Sequence, residues 1–271
     1  MESIKELRVK LQTNVLGHPI LQRVLSIYVT RVFLAMNITA NQVSAAMIVV
    51  GVISGVVIAF GYIWTGLVLI YLSLLLDAVD GEIARYRKVF SLRGIYLDLV
   101  NHLVVFGVFF LGLTLTVSEV WTAPNFAVLI AGAIGSITMG MRRAVGDLPR
   151  VLFVKPYRRH PELFNIPTNP VHGNAESAPS ESSISLRKIL RKVLWGLHEL
   201  HEGGDMIVVL VIAYIGESLF FPGASHHLIL SWIVIFYGTM SCLYLIREII
   251  VGFYSVESRI ASLRDQLVSD E

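Results

Sequence analysis

Asp77, Asp80, Asp98 and His102 are spaced so that two helices would bring them together, in a chain where charge is otherwise sparse. No Asp, Glu, Lys or Arg lies between Arg31 and Asp77; acids and bases then crowd the stretch 77–102, DAVDGEIARYRKVFSLRGIYLDLVNH. On a helix, Asp77, Asp80, Gly81 and Ala84 fall at i, i+3, i+4 and i+7 and share one stripe. Gly94, Asp98, Asn101 and His102 form a second stripe, and the short basic link between them predicts antiparallel neighbours with the stripes face to face. Ionised groups at membrane depth are costly and mark a site. Three carboxylates in one place repel unless a cation compensates them, and a hard divalent ion held by oxygen, Mg²⁺ or Mn²⁺, does so. Ion pairing with Arg85, Arg87 or Arg93 is the competing account, and it leaves unexplained why the acids share a face. Arg85 follows directly, with a guanidinium that grips phosphate oxygens in pairs. Taken alone, Arg85 would serve equally as a topology anchor.

These residues need a scaffold, and composition indicates which. Apolar residues make up 55% of the chain, charged residues 15%, and mean hydropathy is +0.68, the balance of a polytopic membrane protein. A span takes about 20 apolar residues, and six segments qualify, near 42–62, 65–84, 95–118, 125–144, 205–221 and 228–250. The expected fold is all-α and integral to the membrane: six transmembrane helices, an N-terminal amphipathic interfacial helix and a cytoplasmic insertion. With both termini on one side, all 22 Lys and Arg fall on that side, which the positive-inside rule makes cytoplasmic, the acidic site included. A seventh span near the N-terminus would expose Lys5, Arg8 and Lys10 on the opposite side.

The predicted organisation runs as follows. Residues 1–40 are juxtamembrane, with the amphipathic stretch LQRVLSIYVTRVFLAM. Residues 41–144 hold four spans and the acids. Residues 145–204 insert a polar loop, NPVHGNAESAPSESS, and a basic amphipathic helix, SLRKILRKVLWGLHEL, suited to anionic lipid. Residues 205–254 hold two spans, opened by Asp205, and 255–271 form a helical tail. Gly51, Gly55, Gly132 and Gly135 permit close helix packing. Cys242 is the single cysteine, so no disulfide forms within the chain. The start, MESIKELRVKLQ, is too polar for a secretory signal. HELHEGGD, at 198–205, lacks the H-E-x-x-H spacing of a zinc site. No nucleic-acid partner is expected.

The acidic stretch resembles the CDP-alcohol phosphotransferase (CDP-alcohol phosphatidyltransferase) family, whose motif is D-x-x-D-G-x-x-A-R, eight residues, G-x-x-x-D-x-x-x-D. Asp77, Asp80, Gly81, Ala84, Arg85, Gly94 and Asp98 stand in register, and His102 takes the place of the fourth aspartate. NITANQVS, at 37–44, is similar to the family's T-P-N-x-x-T approach to the first core helix, with Ala40 at the proline position. Locally, Thr39 or Asn41 could cap that helix. The resemblance implies phospholipid biosynthesis: transfer of a substituted phosphate from a CDP-linked donor, in first place CDP-diacylglycerol, to a small polar or phosphorylated alcohol, with release of CMP. A CDP-linked polar alcohol with a lipid acceptor is the reverse arrangement.

By the same resemblance, Asp77, Asp80 and Asp98 hold the metal. Asp77, Asp80, Gly81, Ala84, Arg85 and Gly94, with Asn41 and Ser44, bind CDP. Arg142, Arg143 and Arg247 are candidates for an acceptor's phosphate or, equally, topology anchors. Family members pair as homodimers. The family's fourth acid acts as general base, and histidine can take that proton at neutral pH. His102 is nevertheless a poor ligand for Mg²⁺. Other readings stay open: Asp98 as base, a softer metal beside His102, or a scaffold that binds nucleotide and metal without turnover. A transporter would place its acids at the midplane, not beside Arg85.

Overall fold

The computed structural model describes residues 20–89, 91–157, 203–222 and 227–269, and every regular element among them is a helix. In chain order these are α1 (Ile20–Ala35), α2 (Ala40–Ala59), α3 (Ile63–Arg87), α4 (Leu92–Val117), α5 (Phe126–Tyr157), α6 (Gly203–Phe220) and α7 (Leu228–Ser269). Five helical stretches are long and apolar enough to cross a membrane: Ala40–Ala59, Ile63–Arg87, Tyr96–Val117, Phe126–Gly146 and Leu228–Ser255. The remaining expected span falls on α6, whose 18 residues sit at the short end of the usual range of about 17–25. The chain is therefore a multi-pass integral membrane protein.

α2 is the centre of the half that carries the acids. It enters through a capping box in which the Thr39 hydroxyl accepts from the Gln42 N–H and the Gln42 side chain accepts from the Thr39 N–H. Thr39 is thus the cap, and Asn41 is released for another partner. α2 then packs on α3 and on α4 at once. Ser73 of α3 donates to the Met47 carbonyl at 2.9 Å, Ser54 donates to the Gly66 carbonyl at 2.9 Å, and Thr116 of α4 donates to the Ile58 carbonyl. Where α2 crosses α4 the backbones touch: a Cβ on Gly112 would stand 2.0 Å from the Gly55 carbonyl oxygen. Below this crossing lies the apolar core of Ile58, Ile70, Phe109, Phe110 and Tyr237.

One expectation changes in a way that matters. α3 and α4 are joined by a short turn, with Lys88 left-handed at φ 52° ending α3 and Ser91 capping α4. Yet among the described residues they hardly pack on each other; each packs on α2 instead. Their backbones stay apart, and the polar stripes face each other across that gap.

α1 runs beside the polar half of α3. Gln22 donates to the Leu74 carbonyl, and Ser26 and Thr30 donate to Glu82 at 2.7 and 2.5 Å, with Ser26, Thr30 and Glu82 all buried. α5 continues past residue 144 to Tyr157, and α7 continues without a break at 254 to Ser269. The insertion's polar loop, its basic amphipathic segment, His198, His201 and the first 19 residues lie outside the described residues.

Candidate active site

The gap between α3 and α4 collects the chemistry. Asp77 of α3 and Asp98 and His102 of α4 place two carboxylate oxygens and a ring nitrogen within 4.8 Å of one another. His102 Nε2 stands 3.4 Å from Asp98 Oδ1, one helical turn back. The imidazole lies nearly parallel to the Phe106 ring, centroids 6.4 Å apart, so α4 supports it from the next turn. Asp98 is 47% exposed and His102 25%, so both are open to a ligand.

Asp80 turns toward α2, where the buried Ser44 hydroxyl donates to it at 2.5 Å. It remains close enough to Asp77 and Asp98 for their charges to act on it. Asn41 accepts from the Ser91 hydroxyl at 3.0 Å, and that hydroxyl accepts from the Gly94 N–H at 3.0 Å. Gly94 is small for a visible reason, since a Cβ there would meet Asn41 Oδ1 at 3.1 Å. Gly81 is small for another: the Arg85 guanidinium folds back over it, 3.2 Å from where a Cβ would be. Arg87 donates to Asn37 at 3.2 Å. Two carboxylates and an imidazole with a third carboxylate alongside form a donor set that fits a divalent cation.

The sequence profile of CDP-alcohol phosphatidyltransferases matches residues 36–153, which run from the turn before α2 into the last part of α5 and contain every one of these groups. Those residues are a CDP-alcohol phosphatidyltransferase domain. The family comprises phosphotransferases for substituted phosphate groups that use divalent metal ions, and the match supports a CDP-alcohol phosphotransfer reaction in phospholipid synthesis. No curated protein and no solved structure matches the chain.

Within the phosphatidyltransferase domain the structure adds Asn101, which motif spacing passes over as one more member of a stripe. It is 3% exposed, and its Oδ1 is buried without a hydrogen-bond partner among the described residues. It shares the α2-facing side of α4 with Gly94, which meets Asn41, and Val105, which meets Gly51. A buried acceptor left unpaired costs about 1–3 kcal/mol, and a donor from a bound molecule or water would relieve it. Arg142 lies over the Tyr244 ring of α7, 6.0 Å from its centroid, and Arg247 is exposed on α7. The Arg143 side chain lies outside the described residues.

Proposed function

We propose that the enzyme transfers the phosphatidyl group of CDP-diacylglycerol to a small polar alcohol, phosphorylated in the favoured case, and releases CMP. The observation that supports this is the gap between α3 and α4, where Asp77, Asp98 and His102 converge within about three turns of the basic helix ends. At about 1.5 Å per residue, Asp98 is only about 9 Å along α4. A donor with two acyl chains and a charged diphosphate needs its reacting phosphorus at that boundary. The positive-inside rule puts this end, and both termini, in the cytoplasm.

Asp77, Asp80 and Asp98 are the residues that would hold Mg²⁺ or Mn²⁺, which when bound supplies positive charge to the diphosphate as a Lewis acid. Arg85 adds a guanidinium to the same oxygens. Gly81, Ala84 and Gly94, with Asn41 and Ser44, are the residues for cytidine, Gly81 lying under the Arg85 guanidinium and Gly94 against Asn41. The acceptor oxygen bonds to the phosphorus that bears diacylglycerol, and the bond from that phosphorus to the bridging oxygen breaks. CMP leaves with the bridging oxygen. The acceptor's proton passes to Asp98 or His102. Arg142, Arg143 and Arg247 are the cations for an acceptor's phosphate, and the working unit is a homodimer.

The test is CMP release by purified protein with CDP-diacylglycerol, Mg²⁺ or Mn²⁺ and a panel of polar acceptors. Acceptor-dependent release supports the reading and names the acceptor. Release only from a CDP-linked polar alcohol with a lipid acceptor would reverse donor and acceptor. Nucleotide binding with no release from either donor would leave a scaffold in place of this reaction.

A further inference from the structure

We infer that His102 is a ligand of the metal rather than the acceptor's base, and that it shifts the site's preference from Mg²⁺ toward Mn²⁺. This rests on the acid cluster of the proposed function being a metal site. Three observations carry it. First, the 3.4 Å between His102 Nε2 and Asp98 Oδ1 exceeds the usual ~2.9–3.0 Å of an N–H···O hydrogen bond. Two neighbouring donor atoms each ~2.1 Å from one octahedral ion stand roughly 3.0 Å apart. The two groups are thus loosely engaged with each other and lie within a few tenths of an ångström of the spacing two ligands of one ion need.

Second, the donor atoms that gather are two oxygens and one nitrogen, from Asp77, Asp98 and His102. Asp80 turns toward the Ser44 hydroxyl on α2. The group nearest to a ligand set therefore contains the imidazole and not the third carboxylate. Mg²⁺ demands oxygen and dehydrates reluctantly, whereas Mn²⁺ accepts imidazole and still suits carboxylate and diphosphate.

Third, the proton has a better destination. Asp98 is the more exposed of the two groups, and a carboxylate with one oxygen on an ion keeps a second oxygen for the acceptor's proton. His102, stacked on Phe106 and facing Asp98, is held in one orientation, as a ligand needs to be.

The experiment loads the full-length protein in detergent or nanodiscs with Mn²⁺ and reads it by pulsed electron paramagnetic resonance, without substrate. The expected result is a ¹⁴N coupling from bound imidazole that changes to the ¹⁵N pattern when histidine is labelled with ¹⁵N, and that vanishes in His102→Asp. The Mg²⁺ concentration needed to displace half of the Mn²⁺ should fall about tenfold in His102→Asp. Asp77→Asn should weaken Mn²⁺ binding and so show that the signal comes from this site. Mn²⁺ binding that depends on Asp77 but shows no nitrogen coupling overturns the inference, as does the same Mg²⁺ competition in wild type and His102→Asp. No Mn²⁺ binding at all overturns it together with the metal site. Labelling marks all eight histidines, so His102→Gln serves as a second variant that should also lose the imidazole coupling if His102→Asp fails to fold. Because nothing here requires turnover, a wrong donor or acceptor would show only in the CMP assay.

Discussion

Two carboxylate–histidine pairs lie at opposite ends of the helical bundle, and their surroundings differ in almost every respect. Asp98 and His102 come from one helix, are both partly exposed, and share their space with Asp77. Glu217 comes from α6 and His227 from the residue before α7, 3.1 Å apart. Glu217 is buried; its Oε2 faces His227 Nδ1 and its Oε1 accepts the Ile229 N–H at 2.8 Å. That carboxylate caps the start of α7 from a neighbouring helix, satisfying a backbone donor that the helix itself leaves orphaned. Tyr214 stands beside the His227 ring, and Trp64 beside Tyr214. The same two chemical groups thus serve different ends. Where the carboxylate is buried and both its oxygens face the fold, the pair is a fastening; where the pair is partly exposed beside another acid, it is the proposed place for a ligand.

The comparison is most exposed to failure at Asp98. Asp98→Asn removes charge from the open pair, and CMP release should fall by about a thousandfold or more, in line with loss of a principal electrostatic contact in the transition state. The unliganded melting temperature should scarcely move. Wild type should also be stabilised by Mn²⁺, by about 2.7 kcal/mol at a hundred times the dissociation constant, and Asp98→Asn should lose most of that gain. Turnover within tenfold of wild type would sink the reading of this pair as functional. Arg85→Lys is the next largest. It keeps the charge but not the fork, so a loss of about 10–100-fold is expected, most of it in binding of the CDP donor. An unchanged KM would return Arg85 to a topology anchor.

At the other end, Glu217→Ala should cost about 1–3 kcal/mol of stability by leaving the Ile229 N–H and His227 without their acceptor. The shift is read in thermal unfolding in detergent, while CMP release per folded molecule stays as in wild type. A large loss of turnover without a loss of stability would mean that the two pairs are coupled, and the distinction between them would fall.

What the sequence reveals of this arrangement follows from distance along the chain. Asp77 and Asp80, or Asp98 and His102, are legible because helical periodicity turns short spacing into a face. The apolar runs are legible because the bilayer sets their length. The gap between α3 and α4 is not, because it exists only once α2 has wedged against both, through contacts such as Gly55 with Gly112 that span dozens of residues. Asn41 and Thr39 are equally plausible caps in local terms; Ser91, fifty residues on, decides by engaging Asn41. That Arg142 lies over the Tyr244 ring of α7 is also invisible in the spacing, since about a hundred residues separate them. The missing partner of Asn101 is likewise a property of packing rather than of spacing. Hydropathy also ends α5 near 144, although the helix persists to Tyr157 after apolarity stops.

The smallest expected effect makes the sharpest control, because it applies one chemical change to both ends. His227→Gln keeps a polar side chain beside Glu217 and leaves the Ile229 N–H to Glu217 bond in place. The expected cost is about 0.5–1.5 kcal/mol, the net worth of one hydrogen bond, with no change in CMP release and no change in Mn²⁺ affinity. His102→Gln should do the reverse: little change in unliganded stability, because His102 is partly exposed and stands 3.4 Å from Asp98 of its own helix, but weakened Mn²⁺ binding and slowed turnover. Measuring unfolding and Mn²⁺ affinity on both variants therefore tests the contrast by its sign. Equal effects on metal binding, or equal effects on stability, would show that exposure and hydrogen-bond filling do not separate a fastening from a site in this protein.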